Sequence, residues 1–549
     1  MKKVAIFGGG VGGCTVAHEL SKCLTPSNEQ YYDITIYEKK DEIGGLARSS
    51  RDSDGCATEY CWRVYFSFYK NVFKIMSEIP ISSSENVLSN LIECRHKNFS
   101  DQPGSLKDNI IAAKTIFNGM TSCDARLDEM DKVSWWTALD GVNNYHVTRA
   151  VAPWLGGDRY NYSYKSVIKV GFELDMYPGV FDSTVSNYVT TKPTSEAWFT
   201  PWTRHLLKNN VKIKFGKVLQ RVNISSNVIY DCIVNGEKIV ADYYVFALPV
   251  EVLSNIVRIT PQLQTEQFLK IHKLKDVALH MQLSFQVYFN RSISLGKEGS
   301  YDYSTKKKIE INSFLIADSP WDIIVLQYDK IYDTKLCKNI PGARGGWSVA
   351  ACTAYIPGII FGKPFNKCNY DEIIIELWAQ MYRSKSLQEC VMKNNGCRLE
   401  KSLIVKWSPM WPTYKFDDTT QTLTTEEPKF TNNAGTYTLR PSFKTHIDNL
   451  FIATAYVKET IDIFSMEAAS IAGKYVAHAI SEIDRFNIRI TAPLPVMVDR
   501  PMLLVPFRAL DSISYKLGLP NISILIIIVI VIIIILFLWS KLKKVRIFS

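Results

Sequence analysis

No two cysteines in this 549-residue chain have the C-x-x-C spacing, and the twelve stand singly from Cys14 to Cys397. That excludes a zinc ribbon, and the low density excludes a small secreted framework stapled by disulfides. Reduced, mostly buried thiols in a cytosol-like compartment are the expectation. The eight histidines show neither pairing nor metal-ligand spacing, so no metal site is expected. Internal repeats and low-complexity tracts are also absent, which sets aside solenoids and disordered tails. A strong excess of one charge is missing too. Lys plus Arg is 64 against 54 Asp plus Glu, a formal +10, and four of the positives (Lys541, Lys543, Lys544, Arg546) lie in the last nine residues. The remaining body, near balance, carries no electrostatic footprint for nucleic acid. At the amino end, MKKVAIF has an apolar run only from Val4 to Phe7, too short for a signal peptide, and reads as a buried strand.

What is present is a large core and one long apolar run. With 47% hydrophobic residues the chain can form two to four domains. Residues Ile522–Trp539, ISILIIIVIVIIIILFLW, hold one hydroxyl and no charge. As a helix they span about 27 Å, close to the apolar thickness of a bilayer. At about −0.3 to −0.6 kcal/mol per aliphatic residue, insertion is favoured by several kcal/mol. Trp539 and the KLKK that follows suit an interfacial boundary. The expectation is one C-terminal membrane anchor over 521–540 with a basic tail over 541–549, its large domain facing the cytosol.

Residues 1–50 read as strand, glycine turn, helix and strand, the pattern of a covered parallel sheet. A strand-rich block follows at 211–249. Residues 277–290, VALHMQLSFQVYFN, alternate as a sheet strand, and 449–480 read as a strand followed by a helix. Segments 85–185 and 290–420 are less regular and rich in Trp and Tyr. The predicted fold is α/β: a Rossmann-like dinucleotide domain from 1–84, 186–275 and 421–480, interleaved with an α+β substrate domain from 85–185 (mainly helical) and 276–420. Residues 481–520, with Pro493, Pro495, Pro501, Pro506 and Pro520, read as a connector to the anchor.

Gly8-Gly9-Gly10-Val11-Gly12-Gly13 contains G-x-G-x-x-G at Gly8, Gly10 and Gly13. Gly8 permits the tight turn, Gly10 lets a phosphate reach the backbone, and Gly13 lets the helix pack close to the strand. The pyrophosphate would meet free N–H groups at the positive end of that helix. Glu38 ends the next strand, where a carboxylate accepts ribose hydroxyls. A second glycine pair, Gly44-Gly45, follows in DEIGGLARSS. Cys14, just inside the turn, is either a thiol acidified by the helix end or a small residue packed on the sheet.

Glu38 followed by G-G-x-x-R-S resembles the FAD-dependent amine oxidase and carotenoid (phytoene) desaturase superfamily, and the second element makes FAD the implied cofactor. Residues 59–76, EYCWRVYFSFYKNVFKIM, are similar to the carotenoid desaturase pattern. So is LRPSFKTHIDNLFIATAYVKETIDIFSMEAASIAG near the end, and 211–249 resemble the superfamily's second nucleotide segment. The resemblance implies Gly8, Gly10, Gly13, Gly44, Gly45 and Arg48 around the pyrophosphate, Val218 at adenine, and Met466-Glu467 near the flavin ring. Four positions depart from the pattern. Thr454-Ala455 replace a Gly-Asp, and Cys61 and Arg63 replace a Gly and a His. Losing the Asp hydrogen bond costs about 1–3 kcal/mol of cofactor affinity.

In such proteins the flavin performs the difficult chemistry and the chain positions a C–H bond and excludes water, so no acid–base residue is singled out as catalytic. The implied function is membrane-anchored oxidation or desaturation of a lipophilic, isoprenoid-like substrate drawn from the bilayer. A flavin amine oxidase and a catalytically degenerate scaffold are the two other readings. His18 and His478 are expected to pack or be solvated. Trp135, Trp136, Trp154, Trp407 and Trp411 serve the core or an apolar channel.

Overall fold

A computed structural model describes residues 1–61, 63–101, 105–139, 155–157, 159–173, 187–297, 301–302, 307–308, 310–484 and 504–547. Trp154 and most of the proline-rich connector lie outside them.

The first strand, Lys2–Phe7, has buried side chains on both faces from Val4 onward, as a strand covered by helices requires. It is the middle strand of a five-stranded sheet whose order is Leu450–Ile452, Tyr243–Phe246, Lys2–Phe7, Tyr32–Tyr37, Lys212–Lys214. All four pairings are parallel. The opening helix, Val11–Leu20, is buried along its whole length and packs against the closing helix, Met466–Ile483. Small residues set that approach: a Cβ on Gly473 would lie 2.6 Å from the Gly12 carbonyl oxygen.

The second sheet has six strands, ordered Ile404–Trp407, Leu283–Phe289, Gly345–Ala351, Ile323–Gln327, Ser313–Ile316, His96–Phe99. Its pairings are antiparallel except the last, which is parallel. Four of its strands are buried along their full length, and one hydrophobic core runs continuously between the two sheets. The helices Leu106–Thr121, Asp124–Met130 and Tyr164–Glu173 pack together beside it.

Four expectations need correction. The run 277–290 is not one strand: Glu266–Ala278 is a helix that ends inside it, and the strand proper is Leu283–Phe289. Lysines on the helix's outer face hid its period. The span 481–520 is not all connector, because Val505–Lys516 is a helix with Pro506 in its first turn, where a missing N–H costs nothing. The closing helix itself continues to Ile483. Finally, the thiols are not all reduced. Cys56 and Cys337 form a disulfide across 281 residues, while ten cysteines remain free. Separate positions in the sequence concealed a pair that the fold brings together.

Candidate dinucleotide and substrate cavity

Every strand of the parallel sheet delivers its carboxyl end to one cavity. The residues just beyond the strands (Gly8, Glu38, Lys217, Ala247, Ala453) all line it. That edge of an open parallel sheet is where ligands bind. The cavity encloses about 2030 Å³ of empty space, part of it open to solvent. Its lining takes in Lys217 and Val218, the glycine turn, and Tyr60, Lys429 and Met466.

The three glycines of the turn play different parts. Gly8 has φ +108°, and a Cβ there would lie 2.3 Å from the Ala247 carbonyl oxygen. On Gly13 it would lie 2.1 Å from the Gly8 carbonyl oxygen, so helix and strand meet backbone to backbone. Gly10 differs, for a Cβ there meets no protein atom within 4 Å. It faces the cavity, and as N-cap of the opening helix it has no capping side chain, leaving that helix's first N–H groups to a ligand. The second glycine pair lies across the first. Gly44 donates its N–H to the Gly9 carbonyl at 2.8 Å.

Glu38 is pinned by its own surroundings. One carboxylate oxygen accepts the Gly9 N–H at 2.6 Å and the other the Lys40 N–H at 2.8 Å. Lys217 donates its N–H to the Glu38 carbonyl at 2.8 Å, which brings Val218 beside it. Val218 is exposed on the cavity wall. At the far end Ser465 caps the closing helix through the Ala468 N–H at 3.2 Å, and Met466 lines the cavity.

Two predicted residues behave otherwise. Glu467 does not line the cavity. Its carboxylate is turned away onto Asn71, accepting that residue's backbone and side-chain N–H groups at 3.0 and 2.7 Å, and onto the Val72 N–H at 2.9 Å. It therefore caps the helix Lys70–Glu78, and burial pushes its carboxyl up to about 7. Arg48 does line the cavity, but its guanidinium is already paired: Nη2 donates to both Glu427 oxygens at 2.8 and 2.9 Å, and Nη1 to the Gly45 carbonyl at 2.8 Å. Of the remaining candidates, Cys14 is buried and donates to the Gly9 carbonyl, and burial raises its pKa, as for a packed small residue. His18 is buried between Glu78 and Trp202.

Residues 6–79, which hold the glycine turn, Glu38 and Arg48, match the model of the NAD(P)-binding Rossmann-like domain. The chain carries such a domain. Over 77 residues it is 35% identical to a chloroplastic/chromoplastic zeta-carotene desaturase of Capsicum annuum and 34% identical to that of Zea mays. Each match covers 14% of this chain and 12% of the relative's length. The fold as a whole is shared with solved structures. An oxidoreductase from Methanosarcina mazei aligns over 87% of this chain and 100% of its own, with TM-score 0.57 and 12% identity. A putative protoporphyrinogen oxidase from Exiguobacterium sp. aligns over 88% and 99%, with TM-score 0.54 and 11% identity. A triple mutant of putrescine oxidase gives 88% and 99%, with TM-score 0.54 and 12% identity. The mixed α/β architecture around the Rossmann-like domain is thus that of known oxidoreductases.

The cavity wall also contains Glu251 and Lys429, which no sequence motif marked, beside Cys61, Arg63, Thr454 and Ala455, the departures from the sequence pattern. Glu251 opens the helix Val250–Ile259 with one carboxylate oxygen buried and without a hydrogen-bond partner, and burial raises its pKa to about 7. Its only signal was an acidic residue in a helical first turn, a common feature. Lys429 and Cys61 share one acceptor, the Gln282 side-chain oxygen, at 2.7 and 2.8 Å. Arg63 donates to the Leu46 carbonyl. Thr454 and Ala455 both face the cavity, and the Thr454 hydroxyl is buried without a hydrogen-bond partner.

Proposed function

We propose that this protein is an FAD-dependent oxidoreductase acting on a lipophilic substrate, held to a membrane by its C-terminal helix. The observation that carries the reading is the single cavity joining the glycine turn to an apolar far wall. The residues present fit the cofactor. Gly10 leaves open space at an uncapped helix end, Glu38 stands where a ribose would lie, and Glu251 and Thr454 each offer a buried polar atom still without a partner. Gly8, Gly10, Gly13, Gly44 and Gly45 would hold the pyrophosphate, Val218 the adenine, and Met466 the flavin end.

When bound, FAD would supply a two-electron acceptor for a substrate hydride. The chain's own residues shape where that substrate sits. Val64, Phe66, Leu155, Phe430, Ile463 and Phe464 line the far part of the cavity and would bind an apolar molecule and exclude water. Arg63 and Lys429 stand in the same wall.

Helix Ile522–Ile547 contains an 18-residue apolar stretch, Ile522–Trp539, that is only 6% buried. A soluble core helix would be covered, so this exposure supports a membrane anchor. Placement of the body in the cytosol rested on reduced cysteines, and the Cys56–Cys337 bridge withdraws that support.

The test is the absorbance spectrum of purified full-length protein, with chromatography of the released cofactor. The reading predicts flavin bands and FAD near one per chain. Dithionite and a lipophilic substrate should both bleach the bands. Bleaching by dithionite alone across a panel of apolar substrates would favour a scaffold without turnover.

A further inference from the structure

Two helices near the anchor carry large apolar residues on their outer faces. Helix Leu106–Thr121 turns its small residues Ala112, Thr115 and Gly119 inward, against helix Tyr164–Glu173, where a Cβ on Gly119 would meet Ile168 at 2.5 Å. Ile111 and Ile116 pack against the core, but Leu106, Ile110 and Phe117 point outward, Ile110 being 60% exposed. Their i, i+4, i+11 spacing makes one stripe. Helix Val505–Lys516 repeats the arrangement. It buries Asp511 and Ser514 and exposes Leu510 and Ile513, followed by Leu517, at 50%, 58% and 67%. A helix bathed in water arranges these faces the other way round.

Both helices are fixed to the start of the apolar helix. The Asp511 carboxylate accepts the Cys123 N–H at 2.8 Å, Arg126 Nε at 3.0 Å and the Ile522 N–H at 3.1 Å. The Asn521 side chain accepts from the Thr121 hydroxyl at 3.0 Å and the Ser523 N–H at 2.8 Å, and donates to the Ser122 hydroxyl at 2.8 Å. The first turn of the apolar helix is therefore joined to the end of Leu106–Thr121 by buried side chains. Wherever that helix enters a bilayer, these two outward faces arrive at the same surface.

We propose that helices Leu106–Thr121 and Val505–Lys516 lie in the headgroup–acyl boundary of the membrane that the C-terminal helix enters, forming a platform that seats the body on the lipid. This rests on the anchor reading above and adds a second, flat contact to it. The exposed Lys107, Lys114 and Lys516 flank the apolar stripes, as lipid phosphates require.

The experiment uses the full chain in phosphatidylcholine–phosphatidylserine vesicles, with an environment-sensitive fluorophore on Phe117→Cys or Ile513→Cys in a Cys397→Ser background. Tyr230→Cys, an exposed position on the three-stranded sheet, is the control. The proposal predicts several-fold stronger quenching by brominated acyl chains at 117 and 513 than at 230, with little quenching there by aqueous iodide. Protein that withstands alkaline carbonate but whose labels at 117 and 513 answer to iodide would keep the anchor and overturn the platform. Labels shielded from both quenchers would also overturn it, pointing to a second protein copy on that face. Release of the protein by carbonate would refute the anchor itself.

Discussion

Gly45 holds φ +56° with its missing Cβ directed at the Gly10 Cα, 3.3 Å away. The two glycine elements, 35 positions apart, form one layer of bare backbone beside the cavity. A Gly45→Ala protein must accommodate an L side chain in the left-handed region and a tight contact against Gly10, a strain of about 1–2 kcal/mol. The expected result is a roughly five- to thirty-fold weaker hold on FAD, read from the cofactor-to-protein ratio after dialysis. Unchanged retention would mean that the two glycine pairs do not act together.

Glu427 occupies the Arg48 guanidinium that the sequence resemblance would place at a phosphate. Replacing it by Gln removes a competing anion from Arg48 while keeping the shape. Glu427→Gln is expected to tighten FAD binding by up to about tenfold, or about 1.4 kcal/mol. A looser hold would show instead that the pair orients Arg48.

Glu467 is a structural tie rather than a cofactor contact. The Glu467→Gln substitution puts an NH2 group opposite an N–H donor at Asn71 or Val72, and is expected to cost about 1–3 kcal/mol in urea unfolding with the flavin spectrum unchanged. Its titration adds a pH signature. Because burial raises the folded carboxyl to about 7, the folded state holds a proton that the unfolded chain has released. That contribution is complete below the unfolded value near 4.5 and is lost as pH rises through 7. The wild type should lose more stability than Glu467→Gln between pH 5 and pH 8. Parallel profiles would contradict the assignment.

How far the sequence reached depends on whether a residue's role is local. The glycine turn, the strand before it and the helix after it were legible because each is set by a few adjacent residues. The orders of both sheets, the partner of Cys56 and the direction of Glu467 were not, because they depend on chain hundreds of positions away. Glu467 is instructive: its place at the start of the closing helix was readable, but the amides of Asn71 and Val72 that capture its carboxylate were not. Helix Val505–Lys516 was hidden by its inverted faces, since a polar inner side and an apolar outer one imitate a linker.

The Cys56–Cys337 bridge and the basic end of the apolar C-terminal helix bear on orientation together. Disulfides persist in oxidising compartments, and basic residues flanking a span favour the cytosolic side. Protease added to sealed membranes should therefore spare the body and reach only the tail. Non-reducing peptide mapping should recover the pair, and Cys56→Ser should cost about 2–5 kcal/mol. Digestion of the body in sealed membranes would place it in the cytosol.

Bare backbone at Gly10 makes room for a dinucleotide in this reading, and a Gly10→Val protein probes that room. Because a Cβ there meets no protein atom within 4 Å, the variant should fold and unfold like the cofactor-free wild type. Wild-type protein should purify yellow with FAD near one per chain, and Gly10→Val should purify colourless with the same cofactor-free melting profile. Equal FAD content in the two proteins, or a wild type without flavin, would contradict it.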